Sequence, residues 1–270
     1  MSGPGALFER SGSQLLPTDH ARGPWRPDAL HGGAVAALLA SAIQVPGWNP
    51  ARVTFELLAP VPAKPLTLEV SPPEGGRRVV RQSVTLLEGG TPVAEARCVA
   101  VREAVLDLPA GLAGAAGPFA GLPEPDLSRP RPGVREAIGW DSFDSGAVSV
   151  RSLRSADLGA NTVGMWINLL VSVVEGEPTP PLSRIAAAAD YGSAATGAML
   201  PFDRWSYMNT ELTLHLPREL SGSWVGLIST GTVGPNGRGL GAGDLYDRSG
   251  PLGRSAQTQV VEERERVVRE

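Results

Sequence analysis

This sequence has very little cysteine and lysine and no long apolar run, and each shortage excludes a class of protein. Cys98 is the single cysteine in 270 residues, which excludes an internal disulfide and a cysteine-rich metal site. Lys64 is the single lysine, and no basic run is present. A nucleic-acid groove, which needs clustered basic side chains, is therefore not expected. No apolar run approaches the roughly 18 residues of a membrane span, and no signal-like segment is present, so we expect a cytoplasmic protein without membrane insertion.

What the sequence does contain is a long internal repeat. The strand-like run Val53–Leu58 leads to Pro60, and a similar run, Asn209–Leu216, leads to Pro217, an offset of 217 − 60 = 157 residues. The glycine-containing turns that follow are offset by 250 − 90 = 160 residues. Solenoid repeats are about 20–50 residues long, so this longer period indicates two copies of one domain in tandem.

Each copy is predicted to contain one buried helix. Ala34–Gln44 is rich in alanine and leucine, contains no helix breaker and ends before Pro46, which predicts the first helix. Leu182–Asp190 predicts a shorter second helix after a proline-rich turn. The apolar run Asn161–Val174 is compatible with either a strand or a helix, because its length does not decide between them.

Strand-like runs follow the helix in both copies. In the first half they are Arg52–Leu58, Leu66–Val70, Arg77–Leu87 and Thr91–Arg102; in the second half they are Tyr207–Leu216, Ser223–Gly231, Gly239–Asp247 and Gly253–Glu263. Arg135–Phe143 and Val148–Leu153 also have strand character. Alternate residues between Ala94 and Ala100 are all small, which lets a helix lie close to that face of the sheet.

These elements predict an α+β fold in two halves. In each half a curved antiparallel sheet wraps around a long buried helix, which covers the helix stripe and one sheet face together. Residues 1–103 form the first half and residues 135–270 the second. Residues 104–134, rich in proline, glycine and alanine, are predicted to be the linker.

Several segments, taken in order, resemble the double-hotdog acyl-CoA thioesterases of the bacterial thioesterase II type. The segments are His31-Gly32-Gly33 before the first helix, Val53–Pro60, Arg77-Arg78-Val79, Ala186–Asp190, Asn209–Arg218, Gly239–Tyr246 and Gly250–Gln257. The resemblance covers nearly the whole chain apart from the linker and the C-terminal tail. It implies the tandem (double) hotdog fold, an acyl-CoA substrate, hydrolysis to a free fatty acid and CoA, no cofactor or metal, and a homo-oligomer.

The resemblance also implies a catalytic set in the second half. In that family a carboxylate, a hydroxyl or amide group, and a glutamine hold the water that attacks the thioester. Carried over to this sequence, the carboxylate falls on Asp190 and the glutamine on Gln257. The middle position, usually threonine, falls on Asn209, whose amide can also donate and accept hydrogen bonds. A second group, His31, Gly32 and Gly33 at the start of the first helix, is expected to bind the substrate and its oxyanion.

The repeat predicts one site per chain. Subtracting 157 from 190 and 209 leads to Gly33 and Arg52, and subtracting 157 or 160 from 257 leads to Ala100 or Arg97. Because none of these is a carboxylate or an amide, the first half is predicted to act as a scaffold.

Other interpretations stay open for these residues. Asp190 could instead cap a helix end, and Gln257 could be an ordinary surface side chain. Arg77, Arg78 and Arg81 could hold the phosphates of CoA or form a solvated strand edge. The whole protein could be a non-catalytic acyl-CoA binder. A hotdog hydratase needs an Asp–His pair at the start of a helix, and no aspartate lies beside His31 with suitable following residues.

Overall fold

The computed structural model describes residues 5–107, 125, 129–130, 138–153 and 158–264. Most of the predicted linker, residues 104–134, and the first part of the predicted strand Arg135–Phe143 therefore lie outside the described residues. Residues 138–142 are not in a strand, and Phe143–Ala147 form one turn of π-helix, so the described part of that strand prediction is wrong. None of the helices within the described ranges is long and apolar enough to cross a membrane.

Sixteen strands and three α-helices are found among the described residues. The strands are β1 Ala6–Ser11, β2 Gln14–Pro17, β3 Trp48–Leu57, β4 Thr67–Val70, β5 Glu74–Gly75, β6 Val79–Glu88, β7 Thr91–Arg102, β8 Arg129–Pro130, β9 Val148–Ser152, β10 Thr162–Leu169, β11 Ser172–Val174, β12 Trp205–Asn209, β13 Glu211–His215, β14 Trp224–Val233, β15 Arg238–Asp247 and β16 Gly250–Glu263. The helices are α1 Gly32–Ser41, α2 Pro181–Ala189 and α3 Ala194–Met199, and a 3₁₀ turn, Asp190–Ser193, joins α2 to α3.

One large antiparallel sheet contains two groups of four strands with the same order. The first group runs β4-β6-β7-β3 and the second runs β14-β15-β16-β13, so in both groups the first strand in the chain pairs with the last. Strand β3 pairs with β13 and joins the two groups into one continuous sheet. A smaller sheet, β11-β1-β2, pairs an early strand with a late one.

The first helix lies against the small-residue face that the sequence predicts. Ala94, Ala96, Cys98 and Ala100 are all buried on β7, and α1 packs against this strand and against α2. The helix begins at Gly32 and ends at Ser41, two residues earlier than predicted at its start. His31 lies at the N-cap position with Nδ1 3.0 Å from the backbone N of Gly33, a contact in which the neutral imidazole accepts the Gly33 N–H.

The second half departs from the prediction in two places that matter for the site. The helical path does not stop at Asp190 but continues through the 3₁₀ turn into α3, so Asp190 lies inside a bent helical segment. The predicted strand Tyr207–Leu216 is divided at Thr210 into β12 and β13. The run 161–174, which periodicity left open, forms the two strands β10 and β11.

Candidate functional site

A cavity of about 390 Å³ lies where the start of α1 meets the bend between α2 and α3. Trp25, Phe202 and Tyr207 supply aromatic walls, and the segment that follows β3 supplies aliphatic ones. Among the polar residues of this lining, which also include Arg26 and Glu262, His31, Asp144, Asp190 and Asn209 lie close together. An apolar cavity with a few convergent polar groups is the ordinary form of a small-molecule site.

Asp190 is held in this cavity by Asn209. Its side chain is 7% exposed, and its carboxylate Oδ1 accepts a hydrogen bond of 2.7 Å from Asn209 Nδ2. Asn209 is the last residue of β12, where the strand breaks before Thr210, so its amide reaches the bend. The fold therefore brings together two of the residues that the resemblance predicts, and both line the cavity.

His31 lies between two carboxylates. Its Nδ1 is 3.1 Å from Asp190 Oδ2, and its Nε2 is 3.5 Å from Asp144 Oδ2. The imidazole also stacks on Phe143, with ring centroids 4.5 Å apart. No aspartate lies directly beside His31 in the sequence, but the bend and the π-turn each bring one to the ring in the structure.

The two carboxylates change the charge of His31. Burial alone would lower the pKa of His31, but the charge of Asp144 and the hydrogen bond and charge of Asp190 outweigh it and raise that pKa. The charged imidazolium therefore persists to a higher pH than in an ordinary histidine. As a cation, His31 donates from Nδ1 to Asp190, and this nitrogen can no longer accept the Gly33 N–H that lies 3.0 Å away.

Gly32 and Gly33 allow the two helical segments to approach each other closely. A Cβ on Gly32 would lie 2.7 Å from Asp190 Oδ1, and a Cβ on Gly33 would lie 2.9 Å from the Ala187 carbonyl oxygen. Gly32 lines the cavity and is the first residue of α1, so its N–H has no partner within the helix. Gly33 is buried just behind it.

Gln257 lies behind the bend and is not among the residues that line the cavity. It is 1% exposed on β16, a strand inside the sheet rather than at its edge. Oriented to match its surroundings, its amide oxygen accepts hydrogen bonds from the N–H groups of Gly192, at 3.3 Å, and Ser193. In the opposite orientation its Nε2 is 3.5 Å from the carbonyl oxygen of Asp190. A role for Gln257 in holding water stays a prediction.

Sequence reasoning missed Gln259, two residues further along β16. Its Nε2 donates to Asn209 Oδ1 at 3.1 Å, and its Oε1 accepts from Thr196 Oγ1 at 2.6 Å. A buried chain of hydrogen bonds thus runs from Thr196 through Gln259 and Asn209 to Asp190. The period-two pattern could have found it, because Gln257 and Gln259 lie on the same face of a strand.

Asp144 and Tyr191 were also missed. Tyr191 follows Asp190 directly, and its hydroxyl donates to Asp144 Oδ1 at 2.6 Å. Asp144 lies in the π-turn, between the two predicted strands Arg135–Phe143 and Val148–Leu153. The available signal was the serine and glycine content around it, which is typical of a turn and not of a strand.

The remaining polar residues that the sequence suggested lie elsewhere. Arg77, Arg78 and Arg81 lie at or beside the start of β6, which pairs with the end of β7. The end of β7 in turn pairs with Trp48 and Asn49 at the start of β3. The cavity lies beyond Leu57, at the other end of β3, so these arginines are not at its mouth. Glu211 accepts the N–H of Thr258 at 2.7 Å, a contact that stabilises the strand break.

No metal site accompanies these groups within the described part of the chain, where no set of three or more His, Cys, Asp and Glu side chains is placed to hold an ion.

Comparison with solved structures shows the fold. A proposed thioesterase II of Thermobifida fusca is similar with a TM-score of 0.73 and 18% identity, covering 94% of this chain and 95% of that one. Acyl-CoA thioesterase II TesB2 of Mycobacterium marinum has a TM-score of 0.64 and 16% identity, covering 88% and 91%. A hot dog fold protein of unknown function from Alicyclobacillus acidocaldarius has a TM-score of 0.65 and 17% identity, covering 96% of both chains. At these identities the likeness establishes the hotdog fold alone.

Family profiles establish the relationship. No curated protein matches this sequence. The acyl-CoA thioesterase N-terminal domain matches residues 21–101, and the acyl-CoA thioesterase C-terminal domain matches residues 115–261, which is more than half of the chain. With a hotdog fold and a carboxylate fixed in an apolar cavity, this chain belongs to the acyl-CoA thioesterase family.

Proposed function

We propose that this protein hydrolyses acyl-CoA thioesters to free fatty acids and CoA at the cavity between α1 and the bend after α2. The observation that carries the proposal is the Asp190 carboxylate, which is fixed by Asn209 and His31 and faces a cavity with mostly apolar walls. A thioester hydrolase needs a positioned base, and its acyl group needs an apolar surface. Both requirements are met at one place.

In this mechanism Asp190 is the general base. It accepts a proton from the attacking water, a contribution of about 10²–10⁴-fold in rate. The imidazolium of His31 lies 3.1 Å from the carboxylate and balances its negative charge in the cavity. Asn209 holds Oδ1, which leaves the remaining lone pairs of the carboxylate for the water. Gln257 supports the turn that carries Asp190 from behind.

The oxyanion is proposed to form near the start of α1. The N–H groups at a helix N-terminus carry partial positive charge and lack partners within the helix. Gly32 lines the cavity, and protonation of His31 releases the Gly33 N–H from Nδ1. Backbone donors of this kind stabilise the tetrahedral intermediate of acyl transfer.

The wider organisation is proposed from the repeated strand order. The two four-strand groups, each with its helical segment, correspond to tandem hotdog domains, with residues 1–103 as the scaffold half and 135–270 as the site-bearing half. The acyl chain would lie along the walls formed by Trp25, Tyr207 and Leu57. A homo-oligomer in the cytoplasm that uses no cofactor or metal completes the proposal.

Thiol release from a panel of acyl-CoAs, read with a thiol-reactive dye, tests the reaction. Saturable release that depends on the protein is expected, with the rate varying along the acyl series. Calorimetric titration with a non-hydrolysable acyl-CoA thioether gives the matching affinity. Binding without release for every acyl-CoA tested would replace the hydrolase with the alternative function, a non-catalytic acyl-CoA binder.

A hotdog hydratase is the second candidate, because the pairing of His31 with Asp190 at 3.1 Å provides the Asp–His pair that such an enzyme needs. It ranks lower because both ring nitrogens already face carboxylates, which leaves neither free for a substrate. Loss of enoyl-CoA absorbance would reveal hydration. A rate of hydration above the rate of thiol release would reverse this ranking.

A further inference from the structure

The π-turn Phe143–Ala147 holds a carboxylate that the proposed hydrolysis does not use. Asp144 lines the cavity with a side chain that is 10% exposed. Its Oδ1 accepts the hydroxyl of Tyr191 at 2.6 Å, and its Oδ2 is 3.5 Å from His31 Nε2. A buried carboxylate is costly unless it is paired, so the two contacts account for its presence there.

The turn that carries Asp144 is itself well fixed. Phe143 is fully buried and stacks on the imidazole, and its N–H donates to the Arg22 carbonyl oxygen at 2.9 Å. Ser142 and Ser145 close the start of the turn with hydrogen bonds of 2.8 and 3.0 Å. Single π-turns of this kind are frequent at functional sites. Asp144 is therefore presented to His31 by a rigid element.

We propose that Asp144, held by Tyr191, is a positioning residue that keeps His31 as an imidazolium aimed at the Asp190 carboxylate. The effect of this arrangement on catalysis rests on the proposed function. The imidazole is faced by Asp144 on the Nε2 side, by Asp190 and the Gly33 N–H on the Nδ1 side, and by the ring of Tyr191 at 5.8 Å. With both carboxylates ionised, the cluster carries one net negative charge, on the groups that flank the cation.

The consequence of removing the charge of Asp144 follows from this arrangement. His31 would lose an anion that raises its pKa, and the neutral imidazole would become more populated at neutral pH. Asp190 would then face a neutral imidazole in place of the imidazolium. The Asp190–imidazolium pair would be lost at a lower pH than in the unmutated protein, although Asp144 itself does not touch the reacting atoms.

The direct test is the titration of His31 by NMR in the full chain. Only three histidines, His20, His31 and His215, are present, so isotope-labelled histidine gives a readable spectrum. In the unmutated protein His31 should titrate above the ordinary histidine value of about 6.5. Asp144→Asn should lower that pKa, and Tyr191→Phe should lower it by a smaller amount. Asp244→Asn, which removes a carboxylate on another part of the sheet, should leave it unchanged.

The pH profile of kcat/KM provides the second measurement. Asp144→Asn should move the basic limb, where the imidazolium is lost, to lower pH with little change in KM, an effect that a purely structural role would not produce. An unchanged His31 pKa in both variants would overturn the proposal, and so would a lowered pKa with an unmoved basic limb. If the unmutated protein hydrolyses no acyl-CoA, the function fails, while the titration still decides whether Asp144 controls His31. If Asp144→Asn does not fold, Tyr191→Phe decides.

Discussion

The two ends of the helix pair formed by α1 and α2 differ in polarity although the strands around them have the same order. At one end lies the cavity with His31 and Asp190. At the other end a cavity of about 490 Å³ is formed where α1 ends and α2 begins. Its lining is mainly apolar, with Ile43, Trp48, Leu182 and Ile185 among the contributors, and it contains Arg218 and Glu219 but no histidine or aspartate. Each cavity also uses the segment that follows the first strand of one group, after β3 or after β13.

The last strands of the two four-strand groups differ in the same sense. The inward residues of β16 include Gln257 and Gln259, whereas alternate inward residues of β7 between Ala94 and Ala100 are alanine or cysteine. Neither residue of β7 that aligns with Gln257 is an amide: an offset of 157 residues leads to Ala100 and an offset of 160 leads to Arg97. The comparison teaches that a duplicated fold can keep a cavity at both ends and keep polar chemistry at only one.

The largest expected effect is the loss of the base. Asp190→Asn keeps the volume of the side chain and removes its charge, so kcat should fall by about 10²–10⁴-fold. Thiol release measures the loss. Binding of a non-hydrolysable acyl-CoA thioether and an unchanged circular dichroism spectrum would show that the site and fold persist. Near-normal turnover would show that Asp190 is not the base and that the two ends do not differ in catalytic function.

A second variant tests whether a glycine is needed at position 32 because a larger side chain would collide with the Asp190 carboxylate. Gly32→Ala would place a Cβ 2.7 Å from Asp190 Oδ1 and displace the carboxylate, which should lower kcat by about 10²-fold. Gly76→Ala is the matched control, because nothing lies within 4 Å of its added Cβ. Equal activity in the two variants would show that the carboxylate tolerates displacement.

Matched substitutions in the two cavities test which one accepts the acyl chain. Leu57 and Leu182 are both partly buried, and each lines one cavity. Leu57→Phe should lower kcat/KM for long acyl-CoAs roughly 10-fold, since a change of one methylene in a pocket is worth about 1–3 kcal/mol. Leu182→Phe should leave the chain-length profile unchanged. The reverse result would assign the acyl chain to the apolar end.

The smallest effect concerns stability and pH. Because the pKa of His31 is raised in the folded protein, its stabilising contribution is complete below the unfolded value of about 6.5. It is lost as pH rises through the raised pKa. Melting temperatures across the neutral range should therefore decline with pH, and His31→Gln should remove most of this slope. An equal slope in the variant would place its origin elsewhere.

Local patterns predicted much of the fold. Hydrophobic periodicity and glycine turns located most of the long strands, and the small residues between Ala94 and Ala100 correctly predicted the face that α1 covers. Periodicity could not separate strand from helix for residues 161–174. It also could not show the break at Thr210. This break is stabilised by a contact with another strand, because the Glu211 side chain accepts the N–H of Thr258 on β16.

The sequence predicted only part of the site, because several of its residues act through partners that are distant in the chain. The resemblance selected Asp190 and Asn209, and the fold brings them to 2.7 Å. Asp144, Tyr191 and Gln259 have roles that depend on distant partners. The contact of Asp144 with His31 spans 144 − 31 = 113 residues, and no local pattern carries such a distance. Asp144 could be found only after the π-turn had been placed beside α1.

The position of β16 has a consequence for the order of events during synthesis. This strand is the last in the described chain, yet it lies between β13 and β15 and carries the buried Gln257 and Gln259. A nascent chain emerges from the ribosome N-terminus first. His31 and Asp190 therefore leave the ribosome before Gln259, whose side-chain amide binds Asn209. Enzymatic competence should arise abruptly, when the final strand inserts, and ribosome-stalled chains shorter than β16 should be silent.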